Sequence, residues 1–175
     1  MIKHSELIIN NDGSIFHLHL KPEHISNQII LVGDPARVDT IASFFDKIDF
    51  SLQNREFKTT TGWINGKRLS VISTGIGTDN IDICMQELDA LVNIDLEQRT
   101  EKTNKTQLEI VRIGTCGILQ TGIPLHAYML SSHAYGFDNV AHFYPIDYTE
   151  QETQLRANID QHLNLPYGIT PYLIS

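Results

Sequence analysis

Apolar and polar positions fall into two alternating regimes along the first two thirds of the chain. Ile29-Ile30-Leu31-Val32 is an unbroken apolar run, as expected of a short strand covered on both faces. Gly33 ends the run, Asp34 is a good helix N-cap and Pro35 suits a first helical position. Val38, Ile41, Ala42, Phe45 and Ile48 then recur at helical spacing, which predicts a helix folding back on the strand.

The pattern repeats. Leu69 to Ser73 reads as a second strand, and Thr74-Gly75-Ile76-Gly77 as a glycine-rich turn. Thr78 or Asp79 would cap a helix carrying Ile81, Cys84, Met85, Leu88, Leu91 and Val92 on one face. The polar stretch 93–107 reads as a surface loop. Leu108 to Ile113 reads as a third strand ending in Gly114-Thr115-Cys116-Gly117, and Tyr128 to Ser132 as a fourth. Strand, glycine turn and helix in series imply an α/β fold with a largely parallel sheet and helices outside it. Ligands of such sheets collect where the strands reach their carboxyl edge. All three glycine turns belong there, which points to a polar or anionic small molecule.

Composition narrows the classes. With 175 residues, 41% of them hydrophobic and 19% charged, the chain reads as one ordinary globular domain over 1–175. A net charge of −8 argues against nucleic acid as a partner, because phosphate backbones are held by clustered Lys and Arg. It leaves room for a small anion, since a few local arginines set their own field. Two cysteines, Cys84 and Cys116, make neither a disulfide framework nor a zinc-finger spacing. No secretory leader or membrane span is visible, and a cytoplasmic protein is expected.

Several residues then stand out chemically. Gly75-Ile76-Gly77-Thr78-Asp79-Asn80 approaches GxGxxG, but Asn80 stands where a dinucleotide site needs its third glycine. Arg112 sits between Val111 and Ile113 just before a glycine turn. A guanidinium does not lose its charge, so burial there would demand an anionic partner, whereas an exposed strand face or a structural salt bridge would not. Arg37 falls in the first turn of the predicted helix, where backbone N–H groups and the helix dipole favour an anion; a solvent-facing arginine is the commoner case there. Arg55 carries no spacing signal. Thr115 has a hydroxyl to offer at the third turn, although turn chemistry alone explains a threonine. His17 and His19 would share one face of a strand as half a metal site, without a third ligand at suitable spacing. Cys116 has no base partner and reads as a small packed residue.

Taken together, four ordered motifs resemble the nucleoside phosphorylase family of the uridine phosphorylase type. They are Gly33-Asp34-Pro35-Ala36-Arg37-Val38, Asn54-Arg55-Glu56-Phe57, Ser73-Thr74-Gly75-Ile76-Gly77 and Arg112-Ile113-Gly114-Thr115-Cys116-Gly117, with Phe16-His17-Leu18 ahead of them. The resemblance implies a three-layer fold with a central, mostly parallel or mixed twisted sheet flanked by helices. It implies phosphate binding by Gly33, Arg37, Arg112 and Thr115, and by Arg55 from a neighbouring subunit, with Arg112 and Arg37 as the catalytic pair. Nucleoside would meet Thr115, Cys116 and Gly117, and His17 of the neighbouring subunit would touch its sugar. Homodimers, or homohexamers built from dimers, follow because one subunit does not complete its own site. No organic cofactor is implied; inorganic phosphate is the co-substrate, and some members hold potassium near the positions of Glu56, Ile76 and Asn80.

The implied reaction is reversible phosphorolysis of uridine to uracil and ribose 1-phosphate. Three phosphate-directed guanidiniums favour a phosphorylase over a nucleosidase, whose nucleophile is water. A purine nucleoside phosphorylase of the same fold, or a non-catalytic oligomerising module, are the alternatives. The sequence departs from the family at Cys116, where Thr or Ser is usual and a thiol donates more weakly. It also lacks the later aromatic–Gln–Arg and Glu-Met-Glu segments that read uracil and ribose. The chain therefore reads as the N-terminal part of such an enzyme, expected not to turn over uridine by itself and to expose an uncovered apolar edge.

Overall fold

The computed structural model describes residues 1–166 and 168–175. They form two compact units, Met1–Cys116 and Gly117–Ser175, where composition suggested a single one. The boundary falls where the chain leaves the main sheet after Arg112 and runs on without regular structure.

The first unit is built on β1 (Gln28–Val32), α1 (Pro35–Ala42), β2 (Lys47–Asn54), β3 (Phe57–Ile64), β4 (Lys67–Ser73), α2 (Thr78–Asn93), β5 (Ile94–Asp95), β6 (Thr100–Glu101) and β7 (Glu109–Arg112). Five strands make a mixed sheet in the order β2-β3-β4-β1-β7. β1 is parallel to both β4 and β7, with Leu31 opposite Ile72 on one side and Arg112 on the other. β2, β3 and β4 run antiparallel through tight connections.

Side chains alternate across β1, and each face takes one helix. Ile29 and Leu31 join Ile72, Phe57 and the α2 residues Cys84, Leu88 and Leu91 in one cluster. Val32 joins Val71 and the α1 residue Val38 in the other, with Ile30, Ile41 and Phe45 against it. Period-two strands sandwiched between period-3.6 helices give the three layers expected of the motif pattern.

Several local expectations need correction. α1 stops at Ala42, so Phe45 and Ile48 do not belong to it. Ser43 closes it by donating its N–H to Asp39, and the Asp46 N–H donates to the Trp63 carbonyl, opening the β2–β3 ladder. Ile48 is half exposed on β2. The N-cap of α2 is Gly77 at φ 102°, not Thr78 or Asp79. Met85 is exposed while Glu87 is buried in its stead. His17 lies in a turn and His19 just beyond it, neither on a strand, and His19 has φ 56°. The 93–107 stretch holds the β5–β6 hairpin, and Asn93 anchors it through hydrogen bonds with the Thr106 backbone.

The second unit contains β8 (Ala134–Gly136), α3 (Glu150–Leu163) and β9 (Tyr172–Ile174). Tyr128–Ser132 is not a strand. The ladder instead forms between β8 and β9, and Tyr128 and Leu130 are fully exposed. A capping box between Thr149 and Glu152 starts α3.

Two outcomes test this packing. A methyl group on Gly62 would lie 2.4 Å from the Lys47 carbonyl oxygen and from the Phe45 ring. Gly62→Ala is expected to destabilise the first unit by about 1–3 kcal/mol, read as a lowered thermal midpoint; an unchanged midpoint would contradict the β2–β3 packing. Burial pushes the Cys84 thiol up to about 12, while Cys116 is exposed. In the folded protein a thiol reagent should label Cys116 within minutes and leave Cys84 untouched until denaturant is added, as followed by mass spectrometry.

Candidate phosphate and nucleoside site

Parallel pairing brings the carboxyl ends of β1, β4 and β7 to one edge, and each end turns at once. The Thr74 N–H donates to the Val32 carbonyl at 2.8 Å, and the Ile113 N–H to the Leu31 carbonyl at 2.9 Å. These bonds set the turns at Gly33, Gly75 and Gly114 along one edge. A methyl on Gly33 would lie 3.8 Å from the Gly75 carbonyl oxygen and 3.9 Å from Arg112 Nη2; one on Gly114 would lie 3.0 Å from Arg112 Nη1. The Arg112 guanidinium thus lies across two of the three turns.

Arg112 is not buried, contrary to the condition under which its charge would demand a partner. β7 is an edge strand, and Val111 beside it is 62% exposed. Among the described residues Arg112, Arg37 and Arg55 enter no salt bridge with a carboxylate. Their charge is not consumed by the fold.

Arg37 rises from the first turn of α1 after Gly33. The free amides expected at that helix start are partly spent: the Ala36 N–H donates to Asp34 Oδ1 at 2.6 Å, and the Arg37 N–H to the Asp34 carbonyl at 3.1 Å. Arg37 therefore offers its side chain more than its backbone. Lys58 Nζ pairs with both oxygens of Asp39, at 2.6 and 2.7 Å, and ties α1 to β3.

Arg55 and Glu56 form the two-residue turn between β2 and β3, where Asn54 pairs with Phe57. Arg55 holds φ 55°, a conformation usually left to Gly or Asn. Its guanidinium stands 5.9 Å from the centre of the Phe16 ring. Ser73 Oγ donates to the Glu56 carbonyl at 2.6 Å, so this turn is fastened to the end of β4. Asn80 Nδ2 donates to Glu56 Oε1 at 3.0 Å, and both side chains border Gly75. Ile76, the third residue of the expected potassium set, is almost wholly exposed.

His17 follows Phe16 in a turn whose carbonyl accepts from Asn54 Nδ2 at 2.8 Å. Its ring Nδ1 meets Glu87 Oε1 at 2.7 Å. His19 instead joins Asp12 and Asn10, and Ser14 hydrogen bonds hold the Asp12 carboxyl down to about 2. The two histidines thus serve separate networks, which removes the half-site for a metal. A cavity of about 340 Å³ lies between the N-terminal segment and α2, lined by Phe16, His17, Ile83 and Glu87 among others; the arginine-bearing edge does not line it.

Contacts therefore run without a gap from Arg112 through Gly33, Gly75, Glu56, Arg55 and Phe16 to His17 and Glu87. Thr115 and Cys116 follow on exposed, irregular backbone, and Gly117 opens the second unit with nothing within 4 Å of an added methyl. Glu87 escaped the sequence reading because a glutamate within a helix carries no local mark of burial.

Known proteins share this fold. The family model described as Phosphorylase superfamily matches residues 28–169. A uridine phosphorylase of Haemophilus influenzae is 34% identical over 139 residues, covering 78% of this chain and 50% of its own. A DeoD-type purine nucleoside phosphorylase of Thermoanaerobacter sp. is 31% identical over 160 residues, covering 89% of this chain and 62% of its own. Among solved structures, a Trypanosoma brucei nucleoside phosphorylase that shows uridine phosphorylase activity superposes with a TM-score of 0.86 at 32% identity, over 95% of this chain and 57% of that one. The chain spans about half the length of the curated relatives it matches. Its mixed sheet between two helical layers, its glycine turns at one edge and these matches agree: the chain belongs to the phosphorylase superfamily.

Proposed function

We propose that this chain supplies the phosphate half of a nucleoside phosphorylase site, with uridine as the nucleoside, in the cytoplasm. The observation that carries the reading is the Arg112 guanidinium lying over Gly33 at the shared carboxyl edge, its charge unspent within the described residues. Orthophosphate fits this chemistry. Arg37 and Arg112 match its oxygens as planar donors, and Thr115 adds a hydroxyl.

In the reaction a phosphate oxygen attacks the anomeric carbon as the bond to the base breaks. Positive charge develops on the ribose and negative charge on the departing base. Guanidiniums carried at the strand and helix ends orient the dianion before attack, which lowers the barrier through proximity and preorganised charge. Arg55 and His17 belong to one patch through Phe16 and Asn54. In this reading that patch serves the site of a second copy, Arg55 toward phosphate and His17 toward the sugar, within a homodimer or a larger assembly of dimers. Cys116 and Gly117 would border the nucleoside. Potassium would take the oxygens of Glu56, Asn80 and the Ile76 backbone, since oxygen donors suit a hard cation; Asn80 would first turn its amide, whose nitrogen now donates to Glu56 Oε1.

A purine substrate is the second reading, supported by the DeoD-type relatives, which align over 89% of this chain.

Inorganic phosphate at ten times its dissociation constant should stabilise the protein by ~1.4 kcal/mol, a shift of several degrees in the thermal midpoint. Arg112→Ala should abolish the shift without lowering the midpoint in buffer alone, and Arg112→Lys should keep part of it. Wild-type protein whose midpoint ignores phosphate would end the phosphorylase reading.

A further inference from the structure

Glu87 is the one buried carboxylate on α2, at 9% exposure, set among Cys84, Leu88, Ala90 and Leu91. Desolvating a carboxylate is costly unless donors surround it, and the His17–Leu18 turn supplies them. The His17 N–H reaches Oε1 at 2.9 Å and Oε2 at 3.0 Å, and the Leu18 N–H reaches Oε2 at 2.8 Å. The His17 ring adds a fourth contact, Nδ1 to Oε1 at 2.7 Å. A carboxylate has no proton to offer, so the proton in that last contact belongs to Nδ1.

The ring is held on its other sides too. Asn54 Nδ2 grips the His17 carbonyl, and Phe16 packs edge-on, its centre 4.8 Å from the imidazole's at 78°. With Nδ1 committed, Nε2 is the ring's remaining polar atom, on a side chain 29% exposed. Turn closure alone would need only the two backbone amides. The short ring contact goes beyond it and has the form by which a carboxylate sets the tautomer of a functional imidazole.

We propose that Glu87 is a positioning residue: it holds His17 in its Nδ1–H form and so presents Nε2 as a hydrogen-bond acceptor to a hydroxyl of the nucleoside's sugar. The sugar contact rests on the nucleoside reading above; the hold on the ring does not.

Glu87→Gln separates the two. The glutamine oxygen still accepts the backbone N–H groups, but its amide donates to Nδ1 and drives the proton to Nε2. Long-range ¹H–¹⁵N spectra of histidine-labelled protein, with His17 assigned through His17→Gln, read the tautomer directly. The neutral ring is expected as Nδ1–H in wild type and in Glu87→Asp, and as Nε2–H in Glu87→Gln. Uridine binding in phosphate should weaken about tenfold or more in Glu87→Gln, while the phosphate-induced thermal shift stays unchanged. A purely structural role would lower the thermal midpoint and move neither the tautomer nor the uridine affinity.

An Nε2–H ring in wild type, with uridine still bound, overturns the hold by Glu87 and leaves the nucleoside reading intact. An Nδ1–H ring in a protein that responds to phosphate yet binds no uridine overturns the sugar contact and that reading together. A switched tautomer with unchanged uridine affinity overturns the acceptor role of Nε2.

Discussion

Parallel pairing of β1 with β4 on one side and β7 on the other is the constraint from which the candidate site follows. Parallel strands cannot be joined by hairpins, so each must leave the sheet at the same edge and return by a crossover. Gly33 and Gly75 come close there, and Arg112 borders both Gly33 and Gly114, because their strands end in register. Only then does Arg112, the last residue of β7, reach back over Gly33. A slip of one residue in β7 would send its side chain to the opposite face of the sheet.

The antiparallel half of the sheet has a different task. Its β2–β3 turn carries Arg55 in a left-handed conformation and is bolted to β4 by the Ser73 hydroxyl. A non-glycine residue at positive φ costs free energy that the surroundings must offset. Here the offset comes from the Ser73 and Asn80 hydrogen bonds to Glu56 and the stacking of Arg55 over Phe16. The N-terminal segment joins through Asn54 and Glu87. Two groups of residues far apart in the chain thus occupy one continuous surface.

Two kinds of charge are handled in opposite ways. Glu87 is buried and saturated by donors from one turn, which fixes geometry. Arg37, Arg55 and Arg112 are exposed and unspent, which leaves them available to an anion. The net charge of −8 says nothing about either, because local fields depend on which groups face one another.

Much of this was legible in the residues alone. Apolar runs ended by glycine located β1, β4 and β7 to within a residue or two, and Asp34-Pro35 marked the start of α1, because these signals are local and act through backbone sterics and capping. The ordered motifs carried the family and the arginines. What they left open needed the third dimension. Phe45 and Ile48 kept helical spacing but went to the core and to β2, since a ladder to Trp63 outweighed one more helical turn. Whether Arg112 is buried or lies on an exposed strand face stayed open, because edge position is a property of strand order. Glu87 carried no signal of its burial, because its donors lie seventy positions away. Local chemistry sets which elements form; the company each side chain keeps is decided only when distant segments pack.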